Sequence, residues 1–133
     1  MEELLDDVEG YIDDWFQAKL PFAFQGRIRW TPPTDVYETE EAIHVVLAIP
    51  GLDTDDCKVE FESDTLTIQG VRRETAGGKR HYHKMELPVG PFRRRIRIVR
   101  PIDSESVRVR YEDGLLRVRL PKAERGSREI PID

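Results

Sequence analysis

One cysteine, Cys57, stands in a chain of 133 residues. An intrachain disulfide framework is therefore excluded, and a reducing compartment is the natural setting. No apolar run approaches the ~18 residues that a membrane-spanning helix needs, so no membrane span is expected. The opening stretch Met1-Glu2-Glu3-Leu4-Leu5-Asp6-Asp7 lacks the basic and apolar segments of a secretory leader, and a cytoplasmic location is expected. Catalytic signatures are missing too: there is no Gly-x-Ser-x-Gly, no phosphate-cradling glycine loop and no His-Glu-x-x-His. Cys57 falls among alternating apolar residues, as a small core residue does. His81 and His83 would share a strand face, but no third ligand is near them to complete a metal centre. No confined carboxylate pair stands out, so neither an enzyme nor a cofactor is expected.

What is present is charge. Hydrophobic residues make up 38% and charged residues 35%, which suits one domain with solvated extensions. The net charge of −5 is unevenly spread. Residues 1–71 carry 4 basic and 17 acidic side chains, whereas residues 72–133 carry 17 basic and 9 acidic ones. One half is thus suited to meet the other, within a chain or between copies. The arginines from 93 to 119 raise a nucleic-acid reading, but no exposed aromatics are expected to interleave with them for stacking and the chain's overall balance is acidic. A solvated strand face, or a docking surface for the acidic arm, is the more economical account, and no nucleic-acid partner is expected.

Residues 1–33 read as an N-terminal arm. Leu4, Leu5, Val8, Tyr11, Ile12, Trp15 and Phe16 recur at helical spacing, seven acids lie before and among them, and Pro21 ends the pattern. Phe22, Phe24, Ile28 and Trp30 follow without clear period up to Pro32-Pro33. Such an aromatic load either docks on the core or is used between subunits and on other proteins.

From Thr34 the period changes to two. Asp35–Glu38, Ile43–Ile49, Cys57–Phe61 and Leu66–Ile68 are followed by 92–100, Val107–Tyr111 and Leu116–Leu120. Pro50-Gly51, Ser63-Asp64 and Asp113-Gly114 supply turns between them. Seven short strands without helices between them predict an all-β, antiparallel sandwich over residues 34–122. The insertion 72–91 is long for a compact domain. Its middle, Tyr82-His83-Lys84-Met85-Glu86-Leu87, has the character of a strand that leaves its own domain. Residues 123–133 form a loose polar tail that ends in Ile130-Pro131-Ile132-Asp133. The two isoleucines point to one side of an extended segment that Pro131 partly preorganises, so the end is either a docking plug or a stray apolar terminus.

Strand 92–98 holds an anomaly. Phe92, Arg94, Ile96 and Ile98 share one parity, while Arg93, Arg95 and Arg97 share the other and are expected to face water. Arg94 on the core side needs a carboxylate or an interface, because a buried guanidinium without a partner costs several kcal/mol. Glu86, of the same or another chain, is a candidate partner.

These pieces together resemble the small heat-shock proteins of the alpha-crystallin family, in their bacterial or archaeal form. The resemblance covers about Thr34 to Lys122 and the tail. It rests on Ile49-Pro50-Gly51-Leu52 before an acidic turn; Tyr82-His83 with Glu86, Gly90 and Phe92; Arg94 and Arg97; Tyr111-Glu112-Asp113-Gly114-Leu115-Leu116; and Leu120-Pro121-Lys122. Two departures stand out: the family usually has an aromatic where Ile96 stands, and its arm is often longer. The resemblance implies an immunoglobulin-like sandwich, the alpha-crystallin domain, with a short helical arm and a flexible tail. It also implies an ATP-independent holdase chaperone that assembles with itself and binds unfolding client proteins. Val36, Tyr37, Tyr82, His83, Met85, Glu86 and Arg94 would form a strand-swapped dimer interface. Ile130, Pro131 and Ile132 would anchor in a groove at Val59, Phe61, Val107 and Val109 of another dimer. Leu5, Val8, Ile12, Trp15, Phe16, Phe22 and Phe24 would make the client-binding arm. The alternative is a sandwich-type co-chaperone or adaptor that binds one protein partner and does not self-assemble.

Overall fold

A computed structural model describes residues 27–74, 77–124 and 130–133. Seven strands form: β1 (Thr34–Glu38), β2 (Ala42–Ala48), β3 (Cys57–Glu62), β4 (Thr65–Arg72), β5 (Gly90–Arg97), β6 (Arg108–Glu112) and β7 (Leu115–Pro121). They make two antiparallel sheets, one in the order β1-β2-β7-β6 and the other β3-β4-β5. The expected sandwich is what the chain adopts.

Period-two alternation sets the layers. Ile43, Val45 and Leu47 of β2 face Leu120, Val118 and Leu116 of β7 across the ladder, and all six are buried. Leu66 and Ile68 of β4, with Phe92 of β5, supply the opposing layer, and Ile49, Leu52 and Ile98 complete the core. The β6–β7 hairpin turns at Asp113 (φ 56°) and Gly114 (φ 75°), the two left-handed central residues that a tight primed turn requires.

Three local differences from the sequence pattern have physical causes. The strand expected over 92–100 begins at Gly90 and ends at Arg97, where Ile98 leaves the ladder and its N–H bonds the Asp64 carbonyl at 2.6 Å. The segment Tyr82–Leu87 has no strand within one chain, since no edge in the same chain pairs with it. Trp30, assigned to the arm by sequence, packs on the sandwich instead. Its ring lies 5.3 Å from that of Phe92, its indole N–H donates to the Gly90 carbonyl at 3.1 Å, and Arg29 N–H bonds the Pro91 carbonyl at 2.8 Å. An indole next to a free strand edge gains both burial and a carbonyl acceptor there.

Candidate functional site

Among the described residues each sheet ends in open edges; of the expected interface residues, Val36 and Tyr37 sit on β1 and Arg94 on β5, whereas Tyr82, His83, Met85 and Glu86 lie in the insertion between β4 and β5. β1 is the edge of its sheet, with Val36 and Tyr37 exposed. Tyr37 stacks on the His44 ring of the neighbouring strand (4.7 Å, 9°), which in turn lies 3.4 Å from the Thr39 hydroxyl. Behind β1 is an apolar cleft of about 250 Å³ walled by Val36, Tyr37, Ile43, Ile98 and Val99. Sequence patterning missed Val99, which falls just after its strand and is exposed.

Glu38 closes one end of this edge. It accepts from Lys122 at 2.6 Å and from Arg100 at 3.3 Å, tying β1 to the segments after β5 and β7. The Lys122 bond, with the Arg100 bond and both charges behind it, holds the carboxyl below its ordinary value against a smaller opposing effect of desolvation. Asp64 is likewise lowered, chiefly by its bond from Arg97 at 3.0 Å.

The long insertion is held at its base and exposed along its length. The Arg72 guanidinium donates to the carbonyls of Pro50 and Pro88, both at 2.6 Å, which fixes where the loop leaves and rejoins the sheet. Beyond that base, Tyr82, His83, Met85, Glu86 and Leu87 all stand exposed. Glu86 lies 3.5 Å from Lys84, and the Tyr82 hydroxyl donates to Glu74 at 3.2 Å. A loop that offers Tyr82, Met85 and Leu87 to solvent carries an apolar surface that its own domain does not cover.

The second pair of edges is β3 and β6. Val59 and Phe61 from β3, and Val107 and Tyr111 at β6, are partly buried against the same core cluster, while Val109 is 44% exposed. Val109 lies opposite the buried Val118, so it is on the core side of its strand, and it is exposed because β6 has no further neighbour. Cys57, at the start of β3, is partly buried rather than a sealed core residue; desolvation raises its thiol to about 11. The tail stands apart: Ile130 is 78% and Ile132 98% exposed.

β5 requires a correction. Arg94 does sit on the core parity, opposite Ile68, and burial lowers its pKa. Its parity neighbours on the other face do not all meet water. Arg93 is 2% exposed and Arg95 only partly exposed, and of the three only Arg97 is open. Alternation assigns a residue to a face; it does not reveal whether that face is covered. The arm residues Leu5, Val8, Ile12, Trp15, Phe16, Phe22 and Phe24 lie outside the described residues.

Among the described residues no group of three His, Cys, Asp or Glu side chains could hold a metal ion, and no helix is long and apolar enough to cross a membrane.

Known proteins share this arrangement. The family model described as Hsp20/alpha crystallin matches residues 35–133. The chain is 28% identical to small heat shock protein C2 of Rickettsia felis over 129 residues, spanning 94% of this chain and 84% of that protein. It is 31% identical to heat shock protein 16 of Schizosaccharomyces pombe, over 77% of this chain and 73% of that one. In structure, heat shock protein 16.0 from S. pombe matches with a TM-score of 0.68 at 29% identity, over 79% of this chain and 98% of that one. A small heat-shock protein from Xylella fastidiosa matches at 0.67 with 25% identity, over 78% and 97%. With two antiparallel sheets, open edges and a sequence match that runs through the tail, the chain belongs to the Hsp20/alpha-crystallin family of small heat-shock proteins, a family of chaperones.

Proposed function

We propose that the chain is an ATP-independent holdase that binds partly unfolded proteins in the cytoplasm and suppresses their aggregation. The observation that carries this reading is an exposed apolar tail, Ile130 and Ile132, in a molecule whose two sheets both end in open edges with exposed or half-buried apolar side chains. Such edges are aggregation-prone unless another segment adds to them. In this reading, Tyr82–Leu87 adds to β1 of a second chain, with Glu86 reaching the partner's Arg94, and makes a dimer. The tail of one dimer then docks between β3 and β6 of another, combining backbone bonds with pockets for alternate side chains. Burying two isoleucines contributes roughly 3–6 kcal/mol before ordering costs, enough for a site that exchanges singly and holds in arrays. The functional division is an arm over 1–33, an alpha-crystallin domain over 34–122 and an anchoring extension over 123–133, with the arm contacting clients.

Light scattering from a heat-denatured client, with and without the chain and without ATP, tests the activity; undiminished scattering at equimolar ratio would sink the holdase reading. Native mass separates it from a monomeric adaptor. Ile130→Ala/Ile132→Ala should convert the assembly to dimers or other small species while the sandwich melts as before; an intact oligomer would remove the tail from assembly.

A further inference from the structure

The outer face of the β1-β2-β7-β6 sheet carries a straight row of side chains across all four strands. Tyr37 pairs with His44, His44 with Arg119 and Arg119 with Arg108, on the parity opposite to the buried Ile43, Val45, Val118 and Leu120. One step along, Val46 pairs with Arg117 and Arg117 with Arg110. All four arginines are exposed, and they oppose each other directly in two pairs. Like charges set opposite on a ladder destabilise a sheet. Nearby carboxylates answer only part of this charge. Glu112 lies 2.9 Å from Arg110 and the largely exposed Glu41 3.6 Å from Arg119, while Arg108 donates to the Val107 carbonyl at 3.1 Å. Among the described residues no ion pair reaches Arg108 or Arg117.

The other end of the row is aromatic. The Tyr37 and His44 rings lie 4.7 Å apart and 9° from parallel, the spacing of adjacent strands, so they form a short stack beside the arginines. Tyr37 remains 47% exposed. These rings come from strands distant in sequence, and only the ladder sets them on the arginine face. Exposed aromatics beside guanidiniums on a four-stranded antiparallel sheet suit unpaired bases, which stack while their phosphates take the cations. An acidic peptide would use the arginines and leave the stack idle, and a duplex would hide its bases. The net charge of −5 does not oppose such a ligand. At physiological ionic strength an exposed charge acts over about 8 Å, and this end of the face sets four guanidiniums against Glu41 and Glu112.

We propose that this face binds single-stranded nucleic acid, with a base stacking on Tyr37 and phosphates held by Arg108, Arg110, Arg117 and Arg119. The arginine positions form a grid about 5 Å across and about 7 Å along the strands, which a flexible chain of phosphates can follow. Strand addition at β1 uses backbone groups of the edge, whereas this site lies on the face, so the inference stands independently of the chaperone reading.

Fluorescence anisotropy of the full chain with a labelled thymidine oligonucleotide of about 15 residues tests this. Affinity should fall with salt at a logarithmic slope of about −3, as expected for four phosphate contacts to a single strand. Arg117→Gln/Arg119→Gln should weaken binding roughly tenfold or more at low salt and bring the slope to about half. It should melt no lower than the wild type, because it relieves opposed like charges. Arg117→Lys/Arg119→Lys, which keeps the charge, should retain the slope. Tyr37→Ala should weaken binding about tenfold with the slope unchanged. Lys58→Gln/Lys79→Gln removes two exposed charges elsewhere and should change neither quantity. No binding at low salt, equal losses in the Lys58/Lys79 and Arg117/Arg119 glutamine variants, or competition by polyglutamate as strong as by unlabelled oligonucleotide would overturn the proposal; the last result would assign the face to an acidic polypeptide. Client protection is read in a separate assay, so the two proposals fail independently.

Discussion

The Tyr111 hydroxyl donates to the Ile49 carbonyl at 2.6 Å, across 62 positions of sequence, and the same oxygen accepts the Leu52 N–H at 3.1 Å. Tyr111 belongs to β6, whereas residues 49–52 carry the chain from β2 in one sheet toward β3 in the other. One phenol thus holds the crossover between the sheets and satisfies two backbone groups. Ile49 is fully buried, so its carbonyl has little access to water when the phenol is removed. Tyr111→Phe should cost about 1–3 kcal/mol in urea unfolding, with little change in slope, because it leaves those groups unpaired. A loss within error would mean that water replaces the hydroxyl.

Gly70 allows β4 to pass against its neighbours. A Cβ there would overlap the Asp56 carbonyl oxygen, lie 2.9 Å from Phe92 Cζ and 3.0 Å from Cys57 Cα. Two of the three obstacles are backbone atoms, so relief requires the chain itself to move. Gly70→Ala should destabilise the fold by about 2–3 kcal/mol, as overpacking of a tight site does. Gly77→Ala, with nothing within 4 Å, is the matched control and should be nearly neutral. Equal melting of the two variants would contradict the packing described.

Arg93 and Arg94 should rank by burial rather than by parity. Arg93 is 2% exposed, so Arg93→Ala strands whatever it pairs with and should cost roughly 3–5 kcal/mol. Arg94 is only partly buried, and in a monomeric preparation Arg94→Ala should cost closer to 1 kcal/mol. Denaturation of both variants at one concentration checks the ranking; the reverse order would return Arg93 to solvent.

Glu38 gives a pH dependence with a definite sign. Its bonds from Lys122 and Arg100 lower its folded-state pKa below the ordinary 4.5, so the charged form is favoured in the folded chain. The contribution is present above the ordinary value and disappears as pH falls through the lowered one. Arg100 and the carboxylate are exposed and Lys122 is partly so, so the effect is small and salt-sensitive. Wild type and Glu38→Gln should differ in urea midpoint at neutral pH and converge in acid. A gap that widens toward acid would reverse the sign.

The sequence by itself determined the seven strands, because alternation of Ile43, Val45 and Leu47, or of Leu116, Val118 and Leu120, admits only one buried face in a sheet. It also marked the tail isoleucines and the long insertion, since apolar residues on polar, irregular stretches need a partner. Arg94 was legible for the same reason: one charge interrupts an apolar parity. What alternation could not decide is the fate of the opposite face. Arg93 and Arg117 both read as outward arginines, yet Arg93 is buried and Arg117 is exposed. Burial of an outer face depends on which distant segment lies on it, and that contact has no period in the local sequence. Trp30 belongs to the sandwich, and Arg72 fixes the base of the loop, for the same reason. Each is placed by backbone carbonyls far along the chain, Gly90 for one and Pro50 and Pro88 for the other, which only the closed tertiary structure brings within reach.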